Sequence, residues 1–463
     1  MPLPFMTRRQ MLKSAACGIG YLAFADLCAR AMAAETPLPA PAGADGVKHY
    51  QSPLAPKPPL FPAKAKRVIF LFMQGAPSHV DTFDYKPLLI RDDGKNVLGR
   101  SLLGPQWKFQ QYGRSGQYIS DLFPNIGQHA DDMCILNGMH TDNPAHPQAT
   151  IQMHTGSAQF VRPSMGSWVL YGLGTENQNL PGFITINPPN AVGGAQNYGS
   201  GFLPAAYQGT RLDGTAGRGM ADIASSIPSA SERRQIDLIQ SMNHDLLKRS
   251  GENPQIEGVI ESFELGFRMQ TTVPAVMDLE KESPRTLEQY GINTAATDTF
   301  GRQCLMARRF AEAGVRFIEV AHTGWDQHTG LHAKHAANAL AVDKPIAGLL
   351  ADLKQRGMLK DTLVIWGGEF GRTPTAQNRD GRDHNNRGFS MWLAGGGAKP
   401  GLRFGATDDY GAKAVTDAMH VHDLHATILA LLGLDHEKLT FRYAGRDFRL
   451  TDVYGNVVKQ IMA

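Results

Sequence analysis

The run HTGWDQHTGLHAKH, from His322 to His335, places four histidines and one aspartate in fourteen residues. Imidazole and carboxylate at this density are ligand types for a divalent metal. Asp326 and His328 stand two apart, as a pair that can share one ion, whereas His332 and His335 have the spacing of the first turns of a following helix. The same chemistry recurs elsewhere. GAPSHVDTFD offers His79, Asp81 and Asp84, EFGRTP offers Glu369 and Arg372, and GRDHNNRG offers Asp383 and His384. Mixed His and carboxylate ligands suit zinc, manganese or iron, and carboxylate-rich sets suit calcium or magnesium. A guanidinium such as that of Arg372 could grip two oxygens of a sulfate or phosphate. A further patch, His420, His422, His425 and His436 with Asp423, lies around the last amphipathic run.

Such residues need elements that bring them together. Continuous apolar runs suited to strands buried on both faces occur at 66–73, 133–139, 182–187, 315–321, 361–370 and 389–397. Helical patterns alternate with them. SERRQIDLIQSMNHDLLKRS starts with Ser231 as a cap and sets Ile236, Met242 and Leu246 on one side. DTFGRQCLMARRFAEAG and IAGLLADLKQRG each end in a glycine stop, and VHDLHATILALLGL is amphipathic. This alternation predicts an α/β domain with a mainly parallel sheet. In such sheets sites form beyond the carboxyl ends of strands. The His79, Asp326, Glu369 and His384 groups all follow predicted strands.

The formal net charge is +3, and the first 33 residues account for it with Arg8, Arg9, Lys13 and Arg30 against Asp26. The remainder is neutral, which gives no electrostatic case for nucleic acid or an anionic membrane. Residues 1–33 read as a twin-arginine signal: paired arginines, a weakly apolar stretch, and Ala31-Met32-Ala33 as a cleavage signature. The expected location is periplasmic or extracellular, with the twin-arginine export machinery as partner. Residues 34–65 hold eight prolines and read as an extended spacer, so the folded domain is expected over 66–463. No run of 18 apolar residues exists, so no transmembrane anchor is expected. Beyond the signal only Cys134 and Cys304 remain, both in apolar runs that suit buried thiols.

The C-terminal third resembles the alkaline phosphatase and sulfatase superfamily. DTLVIWGGEFGRTP is similar to the sulfatase run in which an apolar strand ends in an Asp-His pair, and WDQHTG resembles the Asp-to-His metal pair of phosphate-handling members. More closely, the chain resembles a family of exported sulfatase relatives, domain of unknown function fifteen-oh-one. The matching pieces include GAPSHVDTFD, HPQATIQMHTG, PSMGSWVLYGLG, GWDQH, GEFGRTP, GRDH and LHATILALLGLDHEKLTFRYAGRDFRLTD. The resemblance implies a three-layer α/β/α sandwich, alkaline phosphatase-like, and a metal-dependent hydrolase of a sulfate or phosphate ester. The divalent ion would be zinc, manganese or calcium, and the substrate a sulfated or phosphorylated small molecule or polymer.

The chain departs from working sulfatases in three places. The nucleophile position of the formylglycine motif falls on His146, with no Cys and no Arg, so formylglycine chemistry is not expected. Gln74 stands near the first Asp ligand, for which His79 or Asp81 could substitute. Glu369-Phe370 replaces Asp-His. The expected metal ligands are therefore His79, Asp81, Asp326, His328, Glu369 and His384, with His146 and Arg372 in catalytic roles and His146 itself first a further ligand. Ser78, Thr141 and Thr155 are read as caps or turn residues before nucleophiles. The competing expectation is a catalytically degenerate binding or assembly protein on the same fold.

Overall fold

The apolar runs become strands of one sheet. A computed structural model describes residues 52–463, except 98, 190, 214–222, 224, 226 and 252. The expected signal and residues 34–51 of the expected spacer lie outside the described residues. The strands are β1 (Arg67–Met73), β2 (Met133–His140), β3 (Phe183–Ile186), β4 (Thr210–Leu212), β5 (Phe317–His322) and β6 (Thr362–Gly367). A separate hairpin, β7 (Gly371–Gln377) and β8 (Gly381–Asn385), follows. The sheet is completed by β9 (Phe389–Ala394), β10 (Leu402–Phe404) and β11 (Met419–His420). Its order is β10-β2-β9-β6-β1-β5-β3-β4, with β11 beside β2. Every pairing in it is parallel except the two made by β9.

Successive residues of β1 serve opposite faces, as the pleat requires. Val68, Phe70 and Phe72 join one core, shared with α2 (Met165–Leu173) and α7 (Val421–Leu431) and with Met153 of α1 (His146–Thr155). Ile69, Leu71 and Met73 join the other core, shared with α5 (Asp298–Glu312) and α6 (Leu331–Gln355). The result is the expected three-layer α/β/α sandwich with a mainly parallel sheet. Between β4 and α5 lie α3 (Ser229–Ser250) and α4 (Pro254–Met277). Helix α3 begins at Ser229 directly after Pro228, two residues before the expected Ser231 cap, because proline pre-sets the entry backbone. Its expected apolar side is only partly used: Ile236 is buried, while Met242 and Leu246 remain exposed.

Residues 52–65, expected as spacer, are docked on the domain. Leu54 and Ala65 are buried, and the Lys57 and Leu60 amides bond the carbonyls of Leu173 and Gly433. Ser52–Ala463 forms one unit. Among the described residues no helix is long and apolar enough to cross a membrane.

Candidate metal centre

Three connections on the carboxyl edge of the sheet supply the centre. After β5 the chain delivers Asp326 and His328 before α6 begins at Leu331. After β6 it passes Glu369 and enters the hairpin, where Arg372 on β7 lies directly across from His384 on β8. After β2 it turns through residues 141–145 into α1, whose first residue is His146. Pro147 suits the first turn of α1, and Gly156, at φ 72°, ends it in the left-handed region.

His146, Asp326, His328 and His384 each direct one ligand atom into a space where all four atoms lie within 4.8 Å of one another. The Asp326 Oδ1 atom is 2.9 Å from His328 Nε2, 3.2 Å from His146 Nε2 and 3.3 Å from His384 Nε2. Each imidazole is held from behind through its other nitrogen. His146 Nδ1 is 2.5 Å from Glu369 Oε1, His328 Nδ1 is 2.5 Å from Gln377 Oε1, and His384 Nδ1 is 2.6 Å from the Pro144 carbonyl. A carbonyl and a carboxylate only accept, so His146 and His384 carry their protons on Nδ1. In the neutral rings their Nε2 lone pairs face the Asp326 oxygen, itself an acceptor, and without another cation His146 answers this by holding a second proton on Nε2. His146 Nε2 is buried without a hydrogen-bond partner, and the Nε2 atoms of His328 and His384 stand 2.9 Å apart. Converging lone pairs of this kind are resolved by a cation, and an outer acceptor on each imidazole is the usual arrangement around one.

Electrostatics agree. Burial opposes charge on Asp326, but contacts from His146, His384 and Arg372 hold its carboxyl well below the usual range. Burial likewise opposes charge on His146, and the Asp326 and Glu369 carboxylates outweigh it and raise the ring to about 9. A site that draws a proton so strongly attracts any cation. The Asp326 side chain is 43 % exposed, so the centre opens to solvent.

The other expected residues are placed differently. Glu369 is fully buried and takes up the Gly75 amide as well as His146, so it orients that imidazole from behind. Arg372 is also buried. Its donors go to the carbonyls of Ala76, Arg382, Gly75 and Trp325 and, at 2.7 Å, to Asp326, which makes it a fixed internal cation at the edge of the centre. His79 and Asp81, expected as ligands, stand outside the cluster. His79 Nε2 donates to the Gly411 carbonyl at 2.8 Å, and burial lowers its pKa. Asp81 is closed in a buried pair with Arg382 and also accepts from Ser78 and the Gln106 amide. The hydroxyls of Ser78, Thr141 and Thr155 bond Asp81, Gln152 and the Ile151 carbonyl. Cys134 and Cys304 are free and buried, and burial pushes the Cys134 thiol up to about 12.

Sequence reasoning missed Gln377 and Pro144, the two outer acceptors. Neither has a local signature, since one acts through a side chain amide on a polar strand and the other through a backbone carbonyl.

A family model described as "Protein of unknown function (DUF1501)" matches residues 65–462. The chain belongs to that family. A comparison of this DUF1501 protein with curated proteins finds no match. Among solved structures it is similar to Ps i-CgsB in complex with k-i-k-neocarrahexaose, at 12% identity and TM-score 0.37, over 80% of this chain and 72% of that one. It is similar to the PsFucS1 sulfatase from Pseudoalteromonas sp., at 13% identity and TM-score 0.36, over 81% and 68%. It is similar to the TAB5 alkaline phosphatase mutant His 135 Glu with magnesium bound, at 11% identity and TM-score 0.36, over 81% and 99%.

Proposed function

We propose that this DUF1501 protein is an exported, metal-dependent hydrolase of a sulfate or phosphate ester that works without a formylglycine nucleophile. One observation carries the reading: three imidazoles, each held at Nδ1 by an outer acceptor, turn Nε2 toward a single Asp326 oxygen. Three nitrogens and one oxygen suit zinc or manganese better than calcium, which takes oxygen ligands. A divalent ion held there supplies Lewis acidity, withdrawing charge from an ester oxygen and acidifying water.

The chain's own residues do the rest. Glu369 fixes the tautomer of His146 and makes its Nε2 more basic. Arg372 donates to Asp326 Oδ1 at 2.7 Å, which fixes the carboxylate that would hold the ion and offsets its charge. The exposed side of Asp326 leaves the approach open to a substrate from solvent. The hydroxyls of Ser78, Thr141 and Thr155 are committed to structural bonds, which supports attack by water over a covalent route. That same commitment favours the second reading, a binding protein on a hydrolase scaffold.

Chromogenic sulfate and phosphate monoesters separate the two readings. The hydrolase reading predicts turnover that a chelator abolishes and zinc or manganese restores, and a loss of about 10–100-fold in His146→Gln. Turnover insensitive to chelation overturns the metal-dependent mechanism, and no turnover of either ester class by a protein carrying its metal favours the binding protein.

A further inference from the structure

A second cleft opens on the same edge of the sheet. Strand β11 runs parallel to the end of β2 and sets His420 beside His140, and α7 starts at the next residue. Here a cavity of about 680 Å³ is lined by Asp142, His420, His422, Asp423, Glu437, Arg449 and Tyr454. That volume holds a small ligand of one or two rings.

Three features define what would fit. First, the cleft has an aromatic platform. The Tyr454 ring stacks on His422 at 5.1 Å with planes 5° apart, and Tyr454 is 61% exposed. One face is locked by the imidazole and the other is open to a flat apolar partner. Second, it holds paired donors and acceptors at ion-pair distance. His420 Nε2 is 3.2 Å from Asp142 Oδ1, and Arg449 Nη1 is 3.3 Å from Glu437 Oε1. A hydroxyl both donates and accepts, so two neighbouring hydroxyls on one ring match such a pair. Third, His422 is 4% exposed, and its Nδ1 is buried without a partner while Nε2 bonds the Gly156 carbonyl at 2.8 Å. The Nε2 bond fixes the imidazole on which Tyr454 stacks. Asp142, Asp423 and Glu437 outnumber Arg449, so the lining disfavours a sulfated or phosphorylated ring.

The cleft is joined to the metal centre through one segment. Asp142 is gripped by Gln152 of α1, and two residues later the Pro144 carbonyl holds His384. His146 follows as the first residue of α1.

We propose that this cleft binds a neutral sugar ring, the alcohol portion of the substrate next to the ester. Its role in turnover rests on the hydrolase reading, but binding itself does not, so the two can fail separately. The test is saturation-transfer NMR on the full protein with cellobiose, lactose and maltose, beside a sulfated heparin disaccharide. The expected result is transfer to at least one neutral disaccharide that persists in metal-free His328→Ala, and none to the sulfated one in that variant. Tyr454→Ala and Glu437→Gln should each raise Kd by about tenfold or more with unchanged melting temperature. His328→Ala should bind the sugar as the native protein does while losing metal. The proposal is overturned if no neutral disaccharide binds, if the sulfated one binds His328→Ala equally well, or if Tyr454→Ala binds like the native protein. Tyr454-dependent binding in a protein that holds no metal would keep the subsite and remove the hydrolase.

Discussion

Glu369 shows how much of this centre is decided by one outer side chain. It is buried, accepts the Gly75 amide at 3.0 Å, and spends its remaining capacity on His146 Nδ1. Removing it frees the ring to rotate and to change tautomer. Glu369→Ala should weaken metal binding by about 10–100-fold by competition with a fluorescent chelator, and Glu369→Gln should weaken it less, because an amide oxygen still accepts from Nδ1. Unchanged affinity in Glu369→Ala would show that the ring is held by something else. Asp81 and Arg382 give the contrasting case. Both are fully buried, joined at 2.7 Å, and lie apart from the cluster. Arg382→Ala should cost about 3–5 kcal/mol in chemical denaturation, because it strands a buried carboxylate. At this scale the sequence was half legible. Asp326, His328 and His384 are recognisable by type and position. The diversion of Asp81 was not, because its partner is 301 residues away and only the folded chain pairs them.

Among the elements, the β7–β8 hairpin does the positioning. It carries Arg372 and His384 across from each other and brings Gln377 to His328. It must also approach the Asp326 loop closely: a Cβ on Gly381 would fall 2.0 Å from the His328 carbonyl oxygen. Gly381→Ala should therefore push hairpin and loop apart and lower metal affinity far more than stability, as metal titration alongside thermal melting would show. Equal affinity in that variant would mean that the hairpin is not the positioning element. At the other side of the centre Gly75, at φ 106°, brings the end of β1 against Asp326, where a Cβ would lie 2.6 Å from the Asp326 amide. The strands of the sheet were legible because both faces are buried and the runs are continuously apolar. The hairpin was not, since GRTPTAQ and GRDHN are polar and lack alternation. Helix α4 was also missed, because Gly258, Gly266 and Pro274 interrupt its pattern.

For the whole molecule, buried neutral histidines set the response to acid. Burial lowers His425 to about 3 and His322 and His335 to about 4, against 6.5 for an unburied ring. Below pH 6.5 the unfolded chain takes up these protons and the folded chain does not, so unfolding gains free energy as pH falls. Stability should be full above about pH 6.5 and fall progressively toward pH 3 to 4. Replacing His425 by Asn should flatten that slope in melts taken across the range, whereas an unchanged slope would assign acid sensitivity to other groups. The fold and the edge on which the site lies were legible in the order of the elements. The convergence of four of the eight expected site residues on one point was not, since it depends on which carboxylates the core claims first. The account turns on whether those four hold an ion. The most direct measurement is the metal content of the purified protein without the expected signal, residues 34–463, beside Asp326→Ala/His328→Ala. The account predicts about one zinc or manganese per chain, lost in the double variant without loss of fold. A well-folded native protein that holds no metal after incubation with either ion would contradict it.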